Sequence, residues 1–265
     1  MTDNYRPIKD LVWQDVGYIQ TVNHGSREKH EYRYHIDLFE PLADWDVWDY
    51  WEKERIASMQ EHIKQGDVLF EVGAEHGWMA GIYSKYMTDQ LVLIEPTGEF
   101  WPNIKAIFDR NGLNAPLFSW VGFVSDESTD DSNVLDQAGW PEEAFGEEII
   151  EKLKYRNLHD SGDTQQVKDC RIDQIVDKTG IVPDFVSIDV EGAELKVLRG
   201  AEKTLKKYKP TLWVSVHPDL LLNNYNTKHE EVLGYLDDIG YKTELLALDH
   251  EHHVLCTPKV ARSKK

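Results

Sequence analysis

Short apolar runs closed by acidic residues and separated by amphipathic stretches dominate the chain from about residue 65 onward. Val68–Val72, Leu91–Glu95, Pro116–Val124, Phe185–Asp189 and Thr211–His217 read as strands buried on both faces, since they lack polar alternation. Between them the apolar spacing changes to three and four. This predicts helices over Trp78–Met87, Phe100–Asn111, Ile172–Lys178, Ala193–Lys207 and His229–Ile239. Pro210 ends the fourth of these before the following strand. After Gly240, Thr243–Leu248 and Val254–Thr257 read as two further strands. Upstream, residues 17–39 alternate on both sides of Asn23–Ser26, predicting a β-hairpin. Trp45, Trp48, Trp51, Ile56, Met59 and Ile63 mark a helix over Asp44–Ile63, with Asp44 as N-cap and the tryptophans as a core-facing seam.

Alternating strand and helix units followed by a terminal strand pair predict an α/β fold. The sheet is doubly wound, mostly parallel and seven-stranded, with an antiparallel C-terminal pair. The expected division is an N-terminal hairpin and helix extension over 1–64, then one domain over 65–260. Residues 125–165 interrupt the rhythm with acids, glycines and a short predicted helix at Glu147–Leu153. An insertion of that size is expected to act as a lid or substrate-facing flap. Regularity resumes at Gln166–Arg171.

Composition narrows the partners. The 265 residues carry 48 acids against 29 bases, a formal charge of −19. That field repels phosphate backbones, so neither nucleic acid nor an anionic membrane surface is an expected partner. Two cysteines in unrelated segments make no disulfide framework. No apolar run approaches the ~20 residues of a membrane helix. Together with an N-terminus lacking a signal pattern, this leads to the expectation of a soluble, cytoplasmic protein.

The candidate chemistry lies at the strand ends, where doubly wound sheets bind ligands. That rule gathers Glu71, Glu95, Asp189 and His217 into one cleft. Asp67-Val-Leu-Phe-Glu-Val-Gly-Ala-Glu-His-Gly77 joins the first strand to a glycine turn. A dinucleotide fingerprint needs glycine two positions after the first, so that backbone can approach a pyrophosphate. Glu75 occupies that position, and its charge opposes a phosphate. The Gly73-x-x-x-Gly77 loop instead suits a ligand without phosphates, of which S-adenosylmethionine is the commonest, with Glu71 or its neighbours facing the ammonium. Glu95 closes the next strand, where a carboxylate accepts two bonds from a ribose diol, and the same residue can also serve as an N-cap before Pro96.

In Asp189-Val-Glu-Gly-Ala-Glu194 three carboxylates meet at one rim. They can form a general base, hold a divalent cation, or simply stabilise a helix N-terminus. Ser215 and His217 share one side of their strand. His217 is a candidate base or metal ligand beside Asp189. His250-Glu-His-His253 falls between the last two strands and reads as a hairpin turn rather than a metal site.

The segments Phe70–Gly77, Ile94-Glu-Pro96, Val186–Glu194 and Val197-Leu-Arg-Gly-Ala201 together resemble the FkbM-type S-adenosylmethionine-dependent methyltransferases, over about residues 45–257. The resemblance implies a class I methyltransferase fold and methyl transfer to a hydroxyl of a sugar, glycan or other small acceptor. It implies a cofactor site of Gly73, Ala74, Gly77 and Glu95. It also implies an acceptor site beside Asp189 and Glu191, with Glu191 the expected base. Related sugar O-methyltransferases use a magnesium ion on an Asp-x-Asp pair, whose spacing Asp189-Val-Glu191 matches. Asp189 is therefore the expected ligand for Mg2+. Two rival functions remain: a non-catalytic glycan- or protein-binding module on the same scaffold, and an NAD-dependent oxidoreductase.

Overall fold

The computed structural model describes residues 52–128, 139–141, 169–248 and 251–260, together with the backbone of two short strands near the N-terminus. Those strands, β1 (Ile19–Val22) and β2 (His30–Arg33), pair antiparallel as the expected hairpin. The tryptophan seam, the Asp44 cap, the Glu147–Leu153 helix and most of the 125–165 insertion lie outside the described residues. Helix α1 (Lys53–His62) begins after Glu52, whose left-handed φ of 48° interrupts the predicted Asp44–Ile63 helix there; residues 44–51 lie outside the described residues.

A seven-stranded sheet follows. It contains β3 (Leu69–Val72), β4 (Leu91–Ile94), β5 (Phe118–Trp120), β8 (Phe185–Asp189), β9 (Thr211–Val216), β10 (Tyr241–Leu248) and β11 (His252–Pro258). Their spatial order is β10-β11-β9-β8-β3-β4-β5. The five strands from β9 to β5 run parallel, while β11 and β10 are antiparallel. The mixed sheet with an antiparallel terminal pair is the architecture that the alternating pattern predicts.

Each parallel strand needs a crossover, and the helices between them cover both faces of the sheet. One layer packs Phe70, Val72, Val186, Ile188 and Val214 against α4 (Ile172–Thr179), α5 (Glu194–Gly200) and α8 (His229–Asp238). The other packs Leu69, Leu91 and Leu93 against α1, α2 (Trp78–Tyr86) and α3 (Trp101–Asn111). Double coverage explains why β3 and β4 are buried at every position and carry no alternation.

Three elements differ from expectation. The predicted strand over Pro116–Val124 divides into β5 and β6 (Phe123–Val124). The latter leaves the main sheet to pair in parallel with β7 (Asp169–Cys170). The predicted helix over Ala193–Lys207 is two helices, α5 and α6 (Glu202–Tyr208), broken at Ala201. Gly200 marks the break: a Cβ there would lie 2.3 Å from the Ser125 carbonyl oxygen, so only glycine lets the end of β6 approach. Finally, Pro218 does not merely end β9. It opens an unpredicted helix, α7 (Pro218–Tyr225), where a proline at the first position loses no hydrogen bond.

Candidate active site

Strand β3 has β4 on one side and β8 on the other, so the chain reverses direction of winding beside it. That switch point opens a crevice at the carboxyl ends of the parallel strands. Gly73 leaves β3 with φ +90°, and its own Cβ position is only 1.7 Å from the Asp189 carbonyl oxygen. Gly77 (φ +86°) precedes α2, and a Cβ there would meet Ile104 of α3 at 2.8 Å. Both glycines are therefore required by protein packing against neighbouring backbone and helix. The buried Ala74 continues the turn, its N–H bonding to the Ile94 carbonyl.

Glu95 reaches back across this loop. Its Oε2 accepts from the Glu75 N–H at 2.8 Å and its Oε1 from the Thr97 N–H at 2.7 Å. Burial lifts its pKa to about 7 against the pull of those bonds. Glu75 itself takes a left-handed conformation at φ 45°, and its side chain is 63% exposed. It titrates high too, through desolvation and then the charges of Glu95, Asp189 and Glu191.

Deeper in the crevice is a polar network that is not evident from the sequence. Arg55 of α1 is completely buried. Its Nη1 donates to Glu52 Oε2 at 2.7 Å and to both Asp189 Oδ2 and Ser215 Oγ at 3.1 Å. Its Nη2 donates to Ser187 Oγ at 2.6 Å. Glu71 shares this space, with Oε2 lacking a hydrogen-bond partner. Burial raises its pKa to about 8, with Arg55 and Ser187 pulling the other way.

His217 closes the rim. Its Nδ1 is 2.8 Å from Glu194 Oε1, and its Nε2 is 3.2 Å from Glu251 Oε2 and 3.7 Å from both Asp189 and Glu191. Burial disfavours the imidazolium, but the Glu194 bond and the Asp189 and Glu251 charges outweigh it, raising the pKa to about 9. Glu251 rises to about 8 through burial and Asp189, offset by His217. Glu191 lies outside the helix that Glu194 opens. Glu191 (φ 52°) and Gly192 (φ 100°) reverse the chain before α5 begins. The Glu191 side chain is thus 74% exposed while Glu194 is fully buried.

The crevice unites Glu71, Gly73, Ala74, Gly77, Glu95, Asp189, Glu191 and His217, all named from the sequence. Five participants were missed: Glu52, Arg55, Ser187, Glu251 and His253. The hairpin-turn reading of His250–His253 holds for Glu251, which precedes β11, but not for His252 and His253, which belong to that strand, and the Glu251 and His253 side chains join the site. His253, the second residue of β11, lies opposite Ser215 and bonds to its Oγ at 3.1 Å, which draws both residues into the cluster. Spacing held the signals. Arg55 stands four positions before Met59, on the buried face, and Glu251 stands two positions before His253 at the entry to β11. Ligand atoms of Asp189, His217 and Glu251 lie within 4.8 Å of one another, as do those of Glu52, Glu251 and His253.

Comparison with known proteins places these residues in context. The family model described as the methyltransferase FkbM domain matches residues 71–243. No curated protein matches the sequence. Among solved structures, methyltransferase FkbM from Methylobacillus flagellatus is 18% identical with a TM-score of 0.46, covering 72% of this chain and 43% of its own. This chain thus spans less than half the length of that protein. Precorrin-6y C5,15-methyltransferase from Geobacter metallireducens is 11% identical over 78% of this chain and 89% of its own, at a TM-score of 0.44. TYW2 of M. jannaschii, solved in complex with AdoMet, is 14% identical over 79% of this chain and 75% of its own, at 0.42.

Proposed function

The chain belongs to the methyltransferase FkbM domain family, a family of S-adenosylmethionine-dependent methyltransferases, and on that premise we propose that it methylates a hydroxyl group on a sugar, glycan or other small acceptor. One observation carries the cofactor assignment. Glu71, Glu75, Glu95, Asp189 and Glu191 all surround the glycine loop, and burial is the main reason that Glu71, Glu75 and Glu95 titrate high, with neighbouring carboxylates adding to the rise at Glu71 and Glu75. Such a crevice favours a ligand bearing positive charge and disfavours the pyrophosphate of a dinucleotide. S-adenosylmethionine carries a sulfonium and an ammonium, and when bound supplies an electrophilic methyl group. The unpartnered Glu71 Oε2 is a group that such a cation would satisfy.

In this reading Glu95 holds the ribose hydroxyls with the lone pairs left over from its two backbone bonds. Glu191, at the exposed rim, takes the acceptor's proton as its oxygen attacks, and His217 steadies the carboxylate from 3.7 Å. Magnesium fits poorly. The Asp189, His217 and Glu251 trio includes an imidazole nitrogen, and Asp189 already accepts from Arg55, whereas Mg2+ takes oxygen ligands. Glu191 rather than a metal is the proposed base. Glu191→Gln is expected to keep cofactor affinity and lower turnover by ~10²-fold or more. Full activity in that variant would remove Glu191 from the role.

A second reading is a binding module on a methyltransferase scaffold. It is favoured by the packing of Gly73 and Gly77, which the fold requires whether or not a cofactor binds. That reading predicts no affinity for S-adenosylhomocysteine.

A further inference from the structure

Beside the acceptor rim, between α5 and α7, lies a pocket of about 270 Å³. Its floor is apolar, made by Leu195 and Leu221, both buried. Gly192, the residue after Glu191, forms the end nearest the crevice; a side chain there would meet Leu220 at 2.9 Å. Asn226 ends α7 in a left-handed conformation and turns the chain back, so that Thr227 closes the far side. Tyr225 lines the pocket with its ring 40% exposed, and the adjacent Leu222 is half exposed.

The charge of this pocket runs against the rest of the molecule. In a chain of net charge −19, its charged lining residues are Lys196 and Arg199, both cations. They stand three apart on α5 and so share a face. Lys196 Nζ lies 5.1 Å from the Tyr225 ring centroid and 2.6 Å from Glu127 Oε1. The Glu127 side chain is 68% exposed, so a ligand anion competes there with a weak surface pair. An aromatic face beside two cations and an apolar floor suits a sugar ring that carries an anion.

We propose that this pocket is an acceptor subsite for an anionic saccharide unit, with a carboxylate or phosphate on Lys196 and Arg199 and the ring against Tyr225. The inference rests on the O-methylation reading, because it orients a free hydroxyl of that unit toward Glu191. It gives the acceptor a chemical class: an acidic sugar rather than a neutral one.

The test is calorimetric titration of the full chain with glucuronate, glucose 1-phosphate, glucose and inorganic phosphate, with S-adenosylhomocysteine titrated separately. Glucuronate or glucose 1-phosphate is expected to bind at least tenfold more tightly than glucose or inorganic phosphate; the better of the two identifies the anion. The double variant Lys196→Ala/Arg199→Ala is expected to erase that preference, and Tyr225→Ala to weaken saccharide binding while leaving the preference. S-adenosylhomocysteine affinity should stay unchanged in all of them. Equal binding of glucose and the acidic sugars, a preference surviving the double variant, or no saccharide binding at all would overturn the subsite. Inorganic phosphate binding as tightly as glucose 1-phosphate would overturn it too, leaving a bare anion site. If the saccharide preference holds but S-adenosylhomocysteine fails to bind, the cofactor reading fails and the pocket stands.

Discussion

Arg55→Met removes the positive centre of the buried network while roughly preserving side-chain volume. The guanidinium makes four hydrogen bonds, two to carboxylates and two to hydroxyls, inside a region from which water is excluded. Its loss leaves Glu52 and Asp189 facing Glu71 and Glu251 without that counter-charge. Breaking a buried pair by deleting one partner costs about 3–5 kcal/mol, because the remaining charge stays desolvated. For a chain of this size each kcal/mol shifts the melting temperature by roughly 2–4 °C, so a fall of about 6–20 °C is expected. Scanning calorimetry on the cofactor-free protein reads it directly. Arg55→Met/Glu52→Gln, which removes the nearest orphaned charge as well, should recover part of the loss. A fall below about 2 °C in the single variant would mean that Arg55 does not balance these carboxylates.

Two further outcomes follow from the same geometry. Gly73→Ala places a methyl 1.7 Å from the Asp189 carbonyl at φ +90°, and should destabilise by about 3 kcal/mol or more in denaturant titration; a loss under about 1 kcal/mol would contradict the close approach of β3 and β8. The melting temperature of the cofactor-free protein should fall as pH rises from 6 to 9. Glu95, Glu71 and Glu251 titrate near 7, 8 and 8 when folded, against an ordinary carboxyl value of 4.5, so the folded state holds protons that the unfolded chain has released. Their stabilisation is complete below pH 4.5 and disappears through pH 7–8. His217, near 9 against 6.5, loses its contribution as pH rises through 9. A melting temperature that climbs over this range would refute the buried carboxyl cluster.

The sequence revealed most where one physical requirement dominates a whole segment. Strands buried on both faces must be continuously apolar, and Leu91–Ile94 shows that directly. Acids closing such runs stand out, which exposed Glu71, Glu95 and Asp189 as crevice residues. Arg55 was hidden by the rule that charge belongs at the surface: only its phase relative to Met59 betrays a buried position. Glu251 and His253 were hidden by a turn-like composition, which is right for Glu251 but wrong for His253, the second residue of β11. The break at Ala201 depends on the Ser125 carbonyl arriving from a distant segment, and no local pattern records that approach. Gly73 illustrates a subtler point. Its sequence reading is a loop that suits a ligand, and the structure adds that a side chain there would run into the backbone of β8.

The account rests on a crevice that selects a cationic nucleoside over a dinucleotide. Among the described residues no helix is long and apolar enough to cross a membrane. The most direct test is calorimetry with S-adenosylhomocysteine, with NAD in parallel and Glu95→Ala as the comparison. Micromolar binding of S-adenosylhomocysteine, weakened at least tenfold in Glu95→Ala and with no response to NAD, is the predicted result. Binding of NAD alone, or of neither ligand, would contradict the account.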